Sequence, residues 1–380
     1  MSKWRPHSYR SGAQKAGIDP QVIGAAVKAG KIVVEKNPDV PPIFSLRHLA
    51  YMSGAPYLLL REIVERERDP YSVFTVRKRS NKASFRTICV PTPPLMQLQR
   101  WLAKRVLNQG TPHSASTAFA PKSTILEAAE PHAACRWLVK VDIRNFFESV
   151  SEIAAYRVFQ KQFGFQKLIS MEMARLCTRV GNTSAFRSRP RWKSHRTRYT
   201  KIPSYRVKRL GHLPQGAPTS PMLANLAVKS MDDRLQTLAE TSAVTYTRYA
   251  DDLFFSTINP AYTRKDARAL IVAIYRELRV EGFSPNTSKT SVSPPGARKI
   301  VLGLSVDGDM ARLSRAFKQT LRLHIYHCKR NVAEHASARK FSAIAGLENH
   351  LRGLLAYAHQ IEPDYAAKMQ QQFDLIVWPI

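Results

Sequence analysis

Asp251 and Asp252 stand side by side between two runs of β-formers, Val244-Thr245-Tyr246-Thr247-Arg248-Tyr249 and Leu253-Phe254-Phe255-Ser256-Thr257. β-Branched and aromatic residues on both sides of a short break read as a β-hairpin with the acids at its tip. Neighbours in a regular strand point to opposite faces, whereas a tight turn brings both side chains near one site. Two carboxylates so held repel unless a proton or a cation lies between them, which is the arrangement of two-metal phosphoryl transfer. A polar hairpin tip facing water satisfies the same pattern, so the rest of the chain has to decide between them.

Two further segments do so. Arg136-Trp137-Leu138-Val139-Lys140-Val141-Asp142-Ile143 reads as a strand ending in an acid, followed by Arg144-Asn145-Phe146-Phe147-Glu148-Ser149. Leu213-Pro214-Gln215-Gly216-Ala217-Pro218-Thr219-Ser220-Pro221 reads as a turn-rich loop opening a helix. In order, VDIRNFF, LPQGAPTSP and YADD resemble the catalytic signature of reverse transcriptases, and the resemblance runs from about Phe74 to Phe373. It implies an α+β right-hand polymerase with fingers, a palm of antiparallel sheet backed by helices, and a helical thumb. The expected division is a helical lobe at 1–70, fingers at 71–135, palm at 136–306 with a basic insertion at about 179–210, and thumb at 307–380.

The resemblance also implies roles. Asp142, Asp251 and Asp252 would be catalytic and hold two Mg²⁺ ions, with the backbone carbonyl of Ile143 beside them. Arg86 would contact nucleotide phosphates, and Gln215 and Gly216 would approach template and nucleotide. Phe147 would act as a steric gate that excludes a 2′-hydroxyl, although Phe146 and Phe147 both read equally as core. Lys289, in Gly282-Phe283-Ser284-Pro285-Asn286-Thr287-Ser288-Lys289-Thr290, would stand near the triphosphate as a proton donor or else be a surface lysine. Leu302 and Gly303 would grip the primer, in a hairpin expected to turn at Asp307-Gly308. Arg315, Lys318 and Arg322 would track duplex phosphates from a basic three-helix end.

Charge points the same way. The chain of 380 residues carries 59 Lys+Arg against 28 Asp+Glu, a formal balance of +31, which favours a polyanionic partner. Between Arg179 and Leu210 there is no acid. A one-sign block of this kind, with aromatic residues interleaved, suits RNA contact through Arg187, Arg189, Arg191, Trp192, Lys193, Arg196, Arg198, Arg206, Lys208 and Arg209. No apolar run is long enough for a membrane span, the N-terminus lacks a signal-peptide core, and the four cysteines are scattered. A cytoplasmic protein with reduced thiols is expected.

Local patterns add detail. Helices are expected over residues 21–34, 45–52 and 57–67, and strands over 71–76 and 85–90. Ser149-Val150-Ser151-Glu152 reads as a capping box opening a helix through Phe159, and one helix is expected from Pro221 through Leu238. His132 reads as structural before catalytic. Ala128-Ala129-Glu130-Pro131-His132 keeps Ala129 and His132 of the Asn-Ala-x-x-His common in retron enzymes, and Leu302 replaces the Thr of their Val-Thr-Gly.

The retron resemblance implies that part of a cognate structured RNA, serving as template and primer, is copied with dNTPs into RNA-linked single-stranded DNA. Antiphage defence with a separate effector protein is implied as well, and no membrane is involved. Two other readings stand beside it: another defence-associated or group II-like reverse transcriptase, and an RNA-binding scaffold that restrains an effector.

Overall fold

The computed structural model describes residues 4–78, 81–181, 192, 202–207 and 209–379. Its backbone forms two compact, discontinuous units. The first comprises Met1–Lys122, Ile143–Arg234 and Arg276–Pro285, and the second Ser123–Asp142, Leu235–Tyr275 and Asn286–Ile380.

The first unit begins with helices Pro6–Lys15, Pro20–Lys36, Leu46–Ser53 and Tyr57–Val64. Their starts are written locally. Asp19 accepts from the Gln21 and Val22 amides ahead of Pro20, and Ser45 accepts from the His48 amide. Strands β1 (Tyr71–Lys78) and β2 (Asn81–Pro91) form an antiparallel ribbon whose register runs from Tyr71↔Pro91 to Arg77↔Phe85. Helix Pro93–Arg105 buries Leu95, Leu98, Gln99 and Leu102. The Gln99 Nε2 group is satisfied there, donating to Tyr71 Oη and to the Leu176 carbonyl, each at 2.8 Å, whereas its Oε1 is buried without a partner among the described residues.

The expected capping box is replaced by something costlier. Ser151, not Ser149, caps helix Glu152–Arg157, accepting from the Ala154 amide at 3.3 Å. Glu152, 1% exposed, turns into the protein instead of back along the helix. It pairs with Arg175 Nε at 3.0 Å and Arg66 Nη2 at 2.7 Å, and accepts from the Gly211 amide at 2.9 Å. Burial alone would push this carboxyl upward; the two guanidinium charges and the Gly211 amide overcome that and hold it below its ordinary value. A Cβ on Gly211 would lie 2.6 Å from Arg66 Nη2, so the close approach needs glycine. The helix then passes at Val158–Gln162 into a π-turn, so it does not continue as α-helix through Phe159. The single helix expected after Pro221 is also two, Ser220–Ala227 and Lys229–Thr241, broken at Val228.

In the second unit, β3 (Trp137–Asp142), β4 (Thr245–Tyr249), β5 (Asp252–Thr257) and β6 (Ser291–Ser293) form an antiparallel sheet in the order β4-β5-β3-β6. Leu138, Val139, Val141, Leu253, Phe254 and Phe255 are all buried, which accounts for their apolar runs. Three short strands follow, β7 (Ile300–Val301), β8 (Leu304–Ser305) and β9 (Arg312–Leu313). The β7–β8 turn falls at Leu302-Gly303, both left-handed with φ of 49° and 87°, and not at Asp307-Gly308, which lies between β8 and β9. Four helices close the chain where three were expected: Arg315–Arg330, Val332–Ala338, Ile344–Ile361 and Pro363–Asp374. Leu321, Leu347, Leu351, Leu355 and Phe373 share their core.

All four cysteines are buried free thiols. Among the described residues, no helix is long and apolar enough to cross a membrane.

Candidate active site

The carboxylates come together through strand register. Asp142 ends β3 and Asp252 begins β5, and the two are direct partners in the antiparallel ladder. Directly opposed residues project from the same face of a sheet. Tyr249 and Asp252 close the β4–β5 hairpin, which leaves Ala250 and Asp251 as a two-residue turn. Of these two, only Ala250 has positive φ, 55°, the pattern of a type II′ turn in which glycine is the usual first residue. The strained alanine is held by Arg248, which is fully buried and donates from Nη1 to the Ala250 carbonyl at 3.1 Å. Thus Asp251 alone occupies the tip, while Asp252 is fixed by pairing on both sides.

Electrostatically the acids form one cluster. Burial first, then the charges of Asp252 and Asp142, raise the Asp251 carboxyl above its ordinary value, with partial relief from a backbone hydrogen bond and Lys289. Two lysines answer the charge. Lys289 Nζ lies 2.6 Å from Asp142 Oδ2, and Lys140 Nζ lies 2.9 Å from Asp252 Oδ1 and 5.3 Å from the Phe254 ring. Asn286 grips Asp142 twice, its amide N–H donating to the Asp142 carbonyl and its Nδ2 to Oδ1, both at 2.7 Å. The sequence motifs named neither Lys140 nor Asn286 as part of the site. Lys140 did carry a signal, two positions before Asp142 and therefore on its face of the strand.

Among the described residues, no three His, Cys, Asp or Glu side chains are arranged to hold a metal ion. The backbone assembles the acids, but Asp142 and Asp252 point at ammonium groups. The donor set nevertheless suits a divalent cation: all are hard carboxylate oxygens, and the repulsion felt by Asp251 is what such an ion relieves.

The remaining candidates fall in both units. In the first, Cys89 N donates to the Gln215 carbonyl at 2.7 Å, tying the Gln-Gly loop to β2, the strand that carries Arg86. Gly216 has φ of 112°, and a Cβ there would approach Ile88 Cγ2 to 3.0 Å and the Cys89 carbonyl to 3.1 Å. Phe146 is core at 3% exposure and packs on Phe283, whereas Phe147 is half-buried against Phe119 and Phe146. Ile143 is buried and bridges Pro285.

In the second unit, Leu302 is half-buried and Gly303 exposed at the β7–β8 turn. Arg315 and Arg322 are exposed, but Lys318 is already engaged by Glu362 at 2.6 Å. His132 is wholly buried between Ser256 Oγ at 2.6 Å and Thr247 Oγ1 at 2.8 Å, and burial pushes it down to about 4, which fits a strut better than a proton carrier.

Of the basic segment, Arg187, Arg189, Arg191, Lys193, Arg196, Arg198 and Lys208 lie outside the described residues. Arg206 and Arg209 are exposed. Trp192 departs from the expectation: at 2% exposure its ring packs inside the first unit and offers no face for base stacking.

The chain is 27% identical over 334 residues to the Retron Ec86 reverse transcriptase of Escherichia coli, covering 87% of this chain and 93% of that protein. It is 31% identical over 304 residues to the Retron Mx162 reverse transcriptase of Myxococcus xanthus, covering 77% of this chain but only 58% of the longer relative. A solved structure of telomerase from Candida albicans in complex with a fragment of telomeric RNA aligns over 82% of this chain and 57% of its own, with 14% identity and a TM-score of 0.42. The family model described as Reverse transcriptase (RNA-dependent DNA polymerase) matches residues 76–306, a span that contains all three acids and the Gln-Gly loop. With more than half of its 380 residues so matched, the chain belongs to the reverse transcriptase family, the RNA-directed DNA polymerases.

Proposed function

We propose that this polymerase copies part of a cognate structured non-coding RNA, serving as template and primer, into RNA-linked single-stranded DNA, and that it does so in antiphage defence beside a separate effector protein. The observation that carries the chemistry is the pairing of Asp142 with Asp252 across β3 and β5, with Asp251 in the adjoining turn. The retron names of its relatives support the choice of product.

In this reading Asp142, Asp251 and Asp252 hold two Mg²⁺ ions, with the Ile143 carbonyl as a further oxygen donor. Bound there, the ions supply charge that activates the attacking hydroxyl and neutralises the departing pyrophosphate. Lys289, released from Asp142, holds a proton within reach of the triphosphate. Arg86 and the loop at Gln215 and Gly216 orient the nucleotide in the first unit, where β2 and that loop are joined. Phe147, half-buried, excludes a 2′-hydroxyl by its bulk. Gly303, Arg315 and Arg322 are exposed and can meet a duplex, and Lys318 joins them only by leaving Glu362.

The test is the nucleic acid that copurifies with the chain. A DNase-sensitive strand covalently joined to RNA is expected, and it should be absent from the Asp251→Asn, Asp252→Asn double variant while bound RNA persists. Undiminished DNA synthesis by that variant would falsify the site, and RNA alone on the wild-type chain would favour a scaffold.

A further inference from the structure

A cleft of about 1100 Å³ opens between the N-terminal helices and the end of helix Pro93–Arg105, and none of the candidate polymerase residues lines it. Its walls are aromatic. Tyr9 and Phe44 have ring centroids 5.1 Å apart, His48 stacks on Phe44 at 5.3 Å with an interplanar angle of 10°, and Trp4 lies 6.4 Å from Phe44. Trp4 is seated by Gly30, where a Cβ would fall 2.6 Å from the indole ring. The indole cannot pack this way over any larger residue.

Two N–H groups remain for a ligand. Trp4 Nε1 is enclosed and has no hydrogen-bond partner among the described residues. Leaving such a donor buried and unmet is unfavourable, so an acceptor that reaches it as the indole shifts would be held firmly. His48 Nδ1 accepts from the Phe44 amide at 3.3 Å. With Nδ1 accepting, the ring's hydrogen sits on Nε2, a second donor, and burial, which lowers the pKa of this ring, favours that neutral form. Arg5 and Arg105 also line the cleft, against Asp39 as the only acid there among the described residues.

We propose that this cleft binds an unpaired nucleotide, its base stacked among Tyr9, Phe44 and Trp4 and its phosphate met by Arg5 and Arg105. Flat aromatic faces, donors for base acceptors and cations in the lining are the chemistry of single-stranded nucleic acid recognition. The occupant is either a free nucleotide or one looped out of the bound RNA, and the two share that chemistry. A peptide without acidic groups would not call for the cations. The site stands on residues distinct from the carboxylates, so it can fail while the polymerase reading holds.

The experiment is photocrosslinking of the full chain with a trinucleotide containing 4-thiouridine, followed by mapping of the adducts. An adduct on Trp4, Tyr9 or Phe44 is expected, equally in the Asp251→Asn, Asp252→Asn variant. Competition by an unlabelled single-stranded oligonucleotide marks the looped-out source, and competition by uridine monophosphate alone at similar concentration marks the free one. Tyr9→Ala should lower the adduct yield about tenfold, the scale of one lost stacking contact. Trp4→Phe, which keeps a ring and removes the N–H, should lower it severalfold, and Arg105→Ala should do likewise. Because those two substitutions are mild, they keep the site testable even if Tyr9→Ala perturbs folding. Adducts confined to other parts of the chain, or a yield unchanged in Trp4→Phe and Arg105→Ala, would overturn the proposal.

Discussion

His132 has its tautomer dictated by its neighbours. Thr247 Oγ1 gives its one hydrogen to the Ala128 carbonyl at 3.0 Å, so toward the imidazole it can only accept. Nε2 therefore carries the proton, and Nδ1 accepts from Ser256 Oγ. A ring held at a pKa of about 4 binds a proton less readily in the folded chain than in the unfolded one, whose value is 6.5. Its contribution is fully present above pH 6.5 and is lost as pH falls toward 4, by up to about 3 kcal/mol. Urea unfolding at pH 7 and pH 4.5 should show this loss in the wild type and a flatter dependence in His132→Gln. His132→Ala should cost about 3 kcal/mol at pH 7, since two buried hydroxyls lose a partner and a void remains. At Phe147, replacement by Ala should admit ribonucleotides with little loss of deoxynucleotide incorporation. Primer extension with each nucleotide class checks this, and continued exclusion of ribonucleotides would move the gate to another side chain.

Among elements, the tie between Arg66, Glu152 and Arg175 carries the largest expected effect in the first unit. Glu152→Gln removes the carboxylate shared by two guanidinium groups, 0% and 11% exposed, at a cost of about 3–5 kcal/mol measured by denaturant unfolding. Replacing both Arg175 and Glu152 with apolar residues should recover part of it, because the penalty lies in the unpaired charge. This element also shows why sequence reading stops where it does. Ser149-x-x-Glu152 has the form of a capping box, and nothing nearby says that the glutamate is claimed by an arginine 86 positions away. The strands around the acids were legible because Leu138, Val141, Phe254 and Phe255 are buried on pairing and leave continuous apolar runs. The turn at Leu302-Gly303 was not, because a leucine with φ of 49° violates the local preference on which turn prediction rests. Asn286 escaped notice for a related reason. It is an ordinary polar residue until β3 ends beside it.

At the scale of the whole molecule the formal charge of +31 governs association. RNA affinity should fall steeply with salt, by several orders of magnitude between about 50 and 200 mM if six to ten phosphates are met, and filter binding across that range measures it. Neutralising Asp251 and Asp252 should leave that slope unchanged, because the cations that set it are elsewhere. The ammonium groups on Asp142 and Asp252 bear on handling as much as on catalysis. Since Asp142 and Asp252 are already matched by Lys289 and Lys140, chelation by EDTA should silence the polymerase without melting it, and restoring the divalent cation should bring activity back in full. Exchange Lys140 for methionine and that tolerance should vanish: the melting temperature would then rise and fall with the divalent salt in the buffer.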